Sequence, residues 1–277
     1  MTETLRSVVH PWECDAVDHF TTAYYFAAYG AAERHLFQRL GYCADDVAAL
    51  RPVNCRTTFA SELAAGDAYH IESGVLAHDP HHLRIGHRLY NSETLDLAAT
   101  HAVDFLGDVA RPQDAPIDWP EEEAGQDLDF AALGFWTLTA QAVVDPAALD
   151  SAGRLRLSAL IHHTSDANVQ FQNAIGMTSS YMRTEKIGFA TFGYRIALHA
   201  LPNAAGTVMR CDSAVARVGR SSLWFAHRVV DGLTGEGIAD VAQFGVHFDR
   251  RARASAPLPD GIRARAQQLM SGGAGQG

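Results

Sequence analysis

Asp15 and His19 stand four residues apart in a polar turn, and a long helical pattern begins just after them. A carboxylate and an imidazole in that position offer a general acid/base pair beside helix-opening N–H groups that can hold an oxyanion, an arrangement suited to chemistry on a carbonyl. Glu62 supplies a second carboxylate further along. Taken singly, each has a structural explanation. An Asp before a helix caps or turns the chain, a turn histidine is held by hydrogen bonds, and a Glu in an apparent strand faces solvent. The chain itself supplies the comparison that separates the two readings.

The elements around these residues follow from hydrophobic period. Val8 to Gly41 reads as a short strand, the polar turn and one long helix. Tyr25, Tyr29, Ala32, Leu36 and Leu40 share a helix face, with Thr22 as N-cap and Gly41 as C′ residue. Tyr24, Phe26, Ala27 and Ala31 make the opposite side apolar too, which predicts a central, buried helix. Two strands follow, with a turn around Ala64 to Asp67, then further strands separated by turns at Asp79–His81 and Asn91–Glu93. One helix followed by antiparallel strands is an α+β pattern.

The pattern then recurs. Asp15 and Gly41 match Asp150 and Gly176 at a common offset (150 − 15 = 176 − 41 = 135), and Val8, Val9 and Pro11 match Val143, Val144 and Pro146. Beyond the second helix the offset becomes 140, pairing Gly66 with Gly206, Ser73 with Ser213, His87–Arg88 with His227–Arg228 and Ala99 with Ala239. Two segments matching in order indicate an internal duplication. The expected domains are residues 1–112, an acidic solvated linker at 113–135, a second copy at 136–256 and a flexible tail at 257–277. Asp15 recurs as Asp150, whereas His19 is matched by Arg154, Thr22 by Leu157, Tyr25 by Leu160 and Glu62 by Pro202. Residues that only fold the domain should persist in both copies, so this asymmetry points to chemistry in the first.

Composition narrows the classes. With 277 residues, 47% of them hydrophobic, each copy can bury a core, and a formal charge of −10 argues against nucleic acid as a partner. No apolar run is long enough for a membrane span, and the start MTETLRSVV lacks the pattern of a signal peptide, which predicts a cytoplasmic protein with no membrane partner. Cys14, Cys43, Cys55 and Cys211 form no CxxC pair and read as buried thiols. The adjacent pairs His81–His82 and His162–His163 lack metal-ligand spacing, and there is no GxSxG, Walker or GxGxxG motif. No metal is expected.

The pattern D-x-x-x-H-x-x-T-A-x-Y from Asp15 to Tyr25 resembles the D-x-x-G-H-x-N-N-A-x-Y signature of hot-dog-fold acyl thioesterases of the 4-hydroxybenzoyl-CoA thioesterase type. FASELAAGD, Phe59 to Asp67, is similar to the strand and turn after the helix in that family. Glu62 stands where the similar plant acyl-ACP thioesterases, which also carry two repeats, have a glutamate. The departures are Asp18 for the family's glycine, Thr21 and Thr22 for its asparagines, and Val17 where the plant enzymes have Asn.

The resemblance implies a tandem double hot-dog, each repeat a sheet wrapped around its helix, the two pairing edge to edge as a built-in dimer. It implies an acyl-thioester hydrolase, acyl-CoA in preference to acyl-ACP, with no cofactor beyond the carrier of the substrate. Asp15 would attack the thioester carbonyl or activate water. The N–H near Thr22 would hold the oxyanion, His19 and Glu62 would position water or move protons, and Thr22 and Tyr25 would line the substrate. A homodimer of the two-repeat chain is compatible with this. Two other readings remain: a hot-dog dehydratase or hydratase, whose Asp and His usually lie five apart with a nearby Asn and Pro, and a non-catalytic acyl-thioester-binding protein.

Overall fold

A computed structural model describes residues 1–15, 18–109, 116–119 and 127–272. The first repeat comprises β1 (Thr2–Val8), a single-turn helix Pro11–Glu13, α1 (Thr22–Arg39), α2 (Ala44–Ala49), β2 (Arg51–Phe59), β3 (Ala68–His78), β4 (His82–Asn91) and β5 (Leu97–Leu106). The second comprises β6 (Thr137–Val143), a single-turn helix Pro146–Ala148, α3 (Leu157–Ala174), α4 (Ser179–Glu185), β7 (Ile187–Leu198), β8 (Val208–Val218), β9 (Ser222–Asp231) and β10 (Gly237–Asp249). The pair β11 (Ala254–Ser255) and α5 (Asp260–Met270) completes it. The strand order is β1-β3-β4-β5-β2 in the first and β6-β8-β9-β10-β7 in the second, antiparallel throughout. The same order twice is the duplication seen in the sequence.

The first compact unit takes in a segment of the second repeat. One contains residues 1–125 with 146–161, the other 126–145 with 162–277. In the first unit, Tyr25, Ala28, Tyr29 and Ala32 of α1 pack with Val9, Ile71, Leu89, Ala98 and Ala99, so the helix lies on the inner face of the sheet. In the second, Phe171 and Ile175 of α3 pack on Val215, Leu223 and Phe225. Gly41 and Gly176 end the two helices in the left-handed region, φ 82° and 92°, which a side chain there would strain.

Alternate residues of β3 and β4 point inward, and the inward set is not wholly apolar. Ser73 and His87 are buried side by side with Thr4, linked by Oγ1···Oγ (2.6 Å) and Oγ···Nδ1 (2.6 Å) hydrogen bonds. Thr139, Ser213 and His227 repeat this chain at 2.7 Å each, and His227 continues to Gln243 Oε1 (3.3 Å). These are the Ser and His positions that marked the repeat in the sequence. In the first repeat His101 joins the same interior, bonded to Thr57 (2.8 Å) and stacked on Tyr29 with ring centroids 4.7 Å apart.

Three expectations change. The N-cap of α1 is Thr21, extended at φ −74°, ψ 147°, and Thr22 is the first helical residue. Glu62 follows β2 in an irregular segment rather than lying in a strand. The segment expected to be a flexible tail contains α5, because Leu258, Ile262 and Ala266 bury an apolar stripe against the α3 end of the second core. Arg263 fixes that helix by donating to the Gly219 and Arg220 carbonyls, and Arg265 donates to the Ile175 carbonyl.

The described parts of the acidic segment also pack. Ile117 N–H donates to Val75 O (2.9 Å), its side chain lying where a Cβ on Gly74 would stand, and Trp119 stacks with Arg88 (5.1 Å) as Trp136 does with Arg228 (4.4 Å). The other acidic residues, apart from Asp118, Asp127 and Asp129, fall outside the described residues.

Burial pushes the His87 ring down to about 3 and His227 to about 4, and holds His101 well below the ordinary value of 6.5 with help from the adjacent His87. These rings are neutral in the fold and take a proton on unfolding. Their stabilising effect is therefore complete above pH 6.5 and lost as the pH falls toward 4 and below. Urea denaturation between about pH 7 and about pH 4 should show stability falling by up to about 1.4 kcal/mol per pH unit for each histidine. His227→Gln should flatten that slope.

Candidate active site

The turn before α1 is built on backbone hydrogen bonds. Asp15 N–H donates to His19 O (2.8 Å), Asp18 N–H to Asp15 O (3.1 Å), and the Asp15 carboxylate accepts from His19 N–H (3.0 Å). The second repeat builds the same turn. Asp150 N–H donates to Arg154 O (2.7 Å), Gly153 N–H to Asp150 O (3.0 Å), and Asp150 Oδ1 accepts from Ala152 (2.8 Å) and Arg154 (2.9 Å). The fourth residue is left-handed in both, Asp18 at φ 69° and Gly153 at φ 76°. Aspartate tolerates that region better than most side chains, so Asp18 can hold the turn that Gly153 makes in the second repeat.

Neighbouring segments fix the first turn in place. Phe20 N–H donates to Leu63 O (2.8 Å), Thr21 N–H to Glu13 O (3.0 Å), and His19 bridges to Ala64, which lays the Glu62 segment beside the turn. His19 Nδ1 is thereby 3.5 Å from Glu62 Oε1, with both side chains about a third exposed. A polar contact that wet contributes little to folding, so stability does not explain its presence in one repeat. The contact engages Nδ1 of the His19 ring and leaves Nε2 as its other ring nitrogen. Thr22 opens α1, whose N-terminus is the positive end of the helix. Asp15, His19, Glu62 and Thr22 therefore gather around one helix start.

Tyr25 does not join them at the surface. It is 3% exposed, packed on Phe20 (4.5 Å) and Phe59 (5.1 Å), and its phenol, raised far above its usual range by burial, is hydrogen-bonded to the Leu63 backbone. Its hydrogen bond to the Leu63 backbone ties it to the segment that follows Glu62. Cys14, beside Asp15, has its thiol pushed up by burial and then by Asp18 and Asp15, which excludes a ready thiolate.

In the second turn, Arg154 stands where the first has His19. Its Nε is 3.4 Å from Asp150 Oδ2 and its Nη1 donates to Leu50 O (2.5 Å). Glu33 of α1, in the same compact unit, has its carboxyl raised by burial to about 7, with Arg154 and then Arg34 opposing the rise. The Asp150 carboxylate thus faces a cation anchored to the backbone, and no imidazole or second carboxylate matches His19 and Glu62. Glu33 was not legible in the sequence, because Arg154 and Asp150 lie more than a hundred residues from it along the chain. Among the described residues no group of three or more His, Cys, Asp or Glu side chains could hold a metal, and no helix is long and apolar enough to cross a membrane.

Residues 9–122 match the family model of the thioesterase-like superfamily. Solved structures align over both repeats. An acyl-ACP thioesterase from Bacteroides thetaiotaomicron aligns at a TM-score of 0.65 and 9% identity, over 88% of this chain and 96% of its own. The 12:0-ACP thioesterase of Umbellularia californica gives 0.62 and 9%, over 88% and 93%. An acyl-CoA thioesterase II from Mycobacterium marinum gives 0.56 and 13%, over 89% and 93%.

The chain is a tandem double hot-dog. No curated protein matches its sequence. At these identities the structural likeness speaks for the fold, and the family match falls on the repeat that holds His19 and Glu62. Within this double hot-dog the two turns share one scaffold and differ in the groups mounted on it.

Because both carboxylates hold their turns in the same way, Asp15→Ala and Asp150→Ala should each destabilise the protein by about 1–2 kcal/mol, while the Asn variants, which keep an acceptor, cost less. Urea midpoints for the four variants check this.

Proposed function

We propose that this protein hydrolyses acyl thioesters, with acyl-CoA as the first substrate class, at one site in the first repeat. The observation that carries the reading is the His19–Glu62 pair beside the Asp15 turn, 3.5 Å apart and without counterpart at Arg154 and Pro202. The thioesterase-like match over residues 9–122 supports it. The names of the aligned structures, acyl-ACP and acyl-CoA thioesterases, agree with it.

In this reading Asp15 attacks the thioester carbonyl or draws a proton from the water that does. The α1 N-terminus stabilises the oxyanion as the carbonyl becomes tetrahedral. His19, oriented by Glu62, positions water and carries a proton toward the departing thiolate. The carbon–sulfur bond breaks and the carrier thiol leaves; where water attacks, the free acid forms directly, and where Asp15 attacks, water then cleaves the mixed anhydride to release the acid and restore the carboxylate. These groups supply the whole reaction, and the reading calls on no metal or redox cofactor. Four unpaired cysteines suit a reducing compartment such as the cytoplasm.

One observation favours a second reading, a non-catalytic acyl-thioester binder: Asp15 and Asp150 serve their turns alike. Thiol release across a panel of acyl-CoAs separates the two. Asp15→Asn should lower kcat by at least about 10²-fold at an unchanged melting temperature, while Asp150→Asn leaves kcat within about twofold. Equal effects of the two substitutions, or acyl-CoA binding without release by the wild type, would favour the binder.

A further inference from the structure

Three residues before Asp15, Trp12 lies 70% exposed, the most exposed aromatic side chain among the large hydrophobic residues described. It is not loose. His10 stacks on it with ring centroids 4.4 Å apart and planes 8° from parallel. The single-turn helix that carries it is pinned at both ends. Pro11 opens it, Glu13 N–H donates to His10 O (2.9 Å), and the Glu13 carboxylate accepts from His10 N–H (2.9 Å). The second repeat builds the same single-turn helix, Pro146–Ala148, with Asp145 and Ala147 at the places of His10 and Trp12. The backbone therefore needs neither ring. An indole held flat, backed on one face and open to water on the other, is present only in the repeat that also holds His19 and Glu62.

We propose that Trp12, backed by His10, is the platform on which the pantetheine arm of the thioester substrate lies. This rests on the acyl-thioesterase reading above. Three residues of chain hold the Cα atoms of Trp12 and Asp15 no more than about 11 Å apart, a span that a pantetheine arm attached at the reacting carbonyl can cover. The adenine of CoA lies beyond the full pantetheine arm and a pyrophosphate, and the arm itself is the nearer part. Pantetheine offers two planar amides and a gem-dimethyl group, which an indole face accepts by stacking and dispersion without a charged partner. Binding along a non-reacting arm is uniform through the reaction, so its loss appears in KM and leaves kcat alone.

The test compares wild type, Trp12→Ala and Trp12→Phe on one acyl group carried by CoA, by pantetheine and by N-acetylcysteamine, which lacks the far half of the arm. Trp12→Ala should raise KM about five- to tenfold for CoA and pantetheine with kcat within about twofold, Trp12→Phe should recover most of the loss, and the N-acetylcysteamine ester should change little. A rise confined to the CoA ester would assign the platform to the nucleotide and overturn the proposal, as would no rise for any ester. Tryptophan fluorescence titrated with free pantetheine reads the platform without turnover. A change seen in the wild type and absent in Trp12→Phe supports the proposal even where no ester is cleaved, and a change that persists in Trp12→Phe contradicts it.

Discussion

A carboxylate accepting backbone N–H groups across a four-residue turn sets the start of each long helix in this protein. Asp15 and Asp150 both do this, and both turns are clamped to the preceding single-turn helix. The turn places the positive end of the helix beside the aspartate. Once that is built, the groups mounted nearby decide what the turn does. In the first repeat they are an imidazole and a second carboxylate. In the second, a guanidinium faces the aspartate and reaches the Leu50 carbonyl.

Magnitudes separate structure from chemistry here. Each turn aspartate is a folding residue, since a lost turn hydrogen bond to a carboxylate costs on the order of 1–2 kcal/mol. The His19–Glu62 pair is too exposed to contribute much to folding, and the second repeat folds to the same strand order without it. The buried Thr–Ser–His chains behave in the opposite way. They recur in both repeats, lie fully inside, and hold neutral histidines, which marks them as interior architecture that specifies the inward face of each sheet.

Much of this was legible in the sequence. The stripe of Tyr25, Tyr29, Ala32 and Leu36 set the helix register, and the offsets of 135 and then 140 set the duplication, because buried period and turn chemistry are local signals. Other features were not. The burial of Tyr25 within the first core was not legible, because residue type alone does not tell a core phenol from an exposed one. The helix α5 was obscured by polar composition, although Ile262 and Ala266 stand four apart on its buried face. The Glu33–Arg154 relation needs the second turn to lie against the first helix, which no local pattern encodes. Trp12 became informative only beside Ala147, once the shared single-turn helix removed a backbone explanation for it.

The central claim is that His19 and Glu62 act as one unit at the Asp15 turn. A double-mutant cycle on kcat/KM, using His19→Gln, Glu62→Gln and the double variant, tests it most directly. Groups acting together are strongly non-additive, so each single substitution should cost about 10²-fold and the double little more than the worse single. Losses that multiply, or a single substitution that leaves kcat/KM unchanged, would contradict the account.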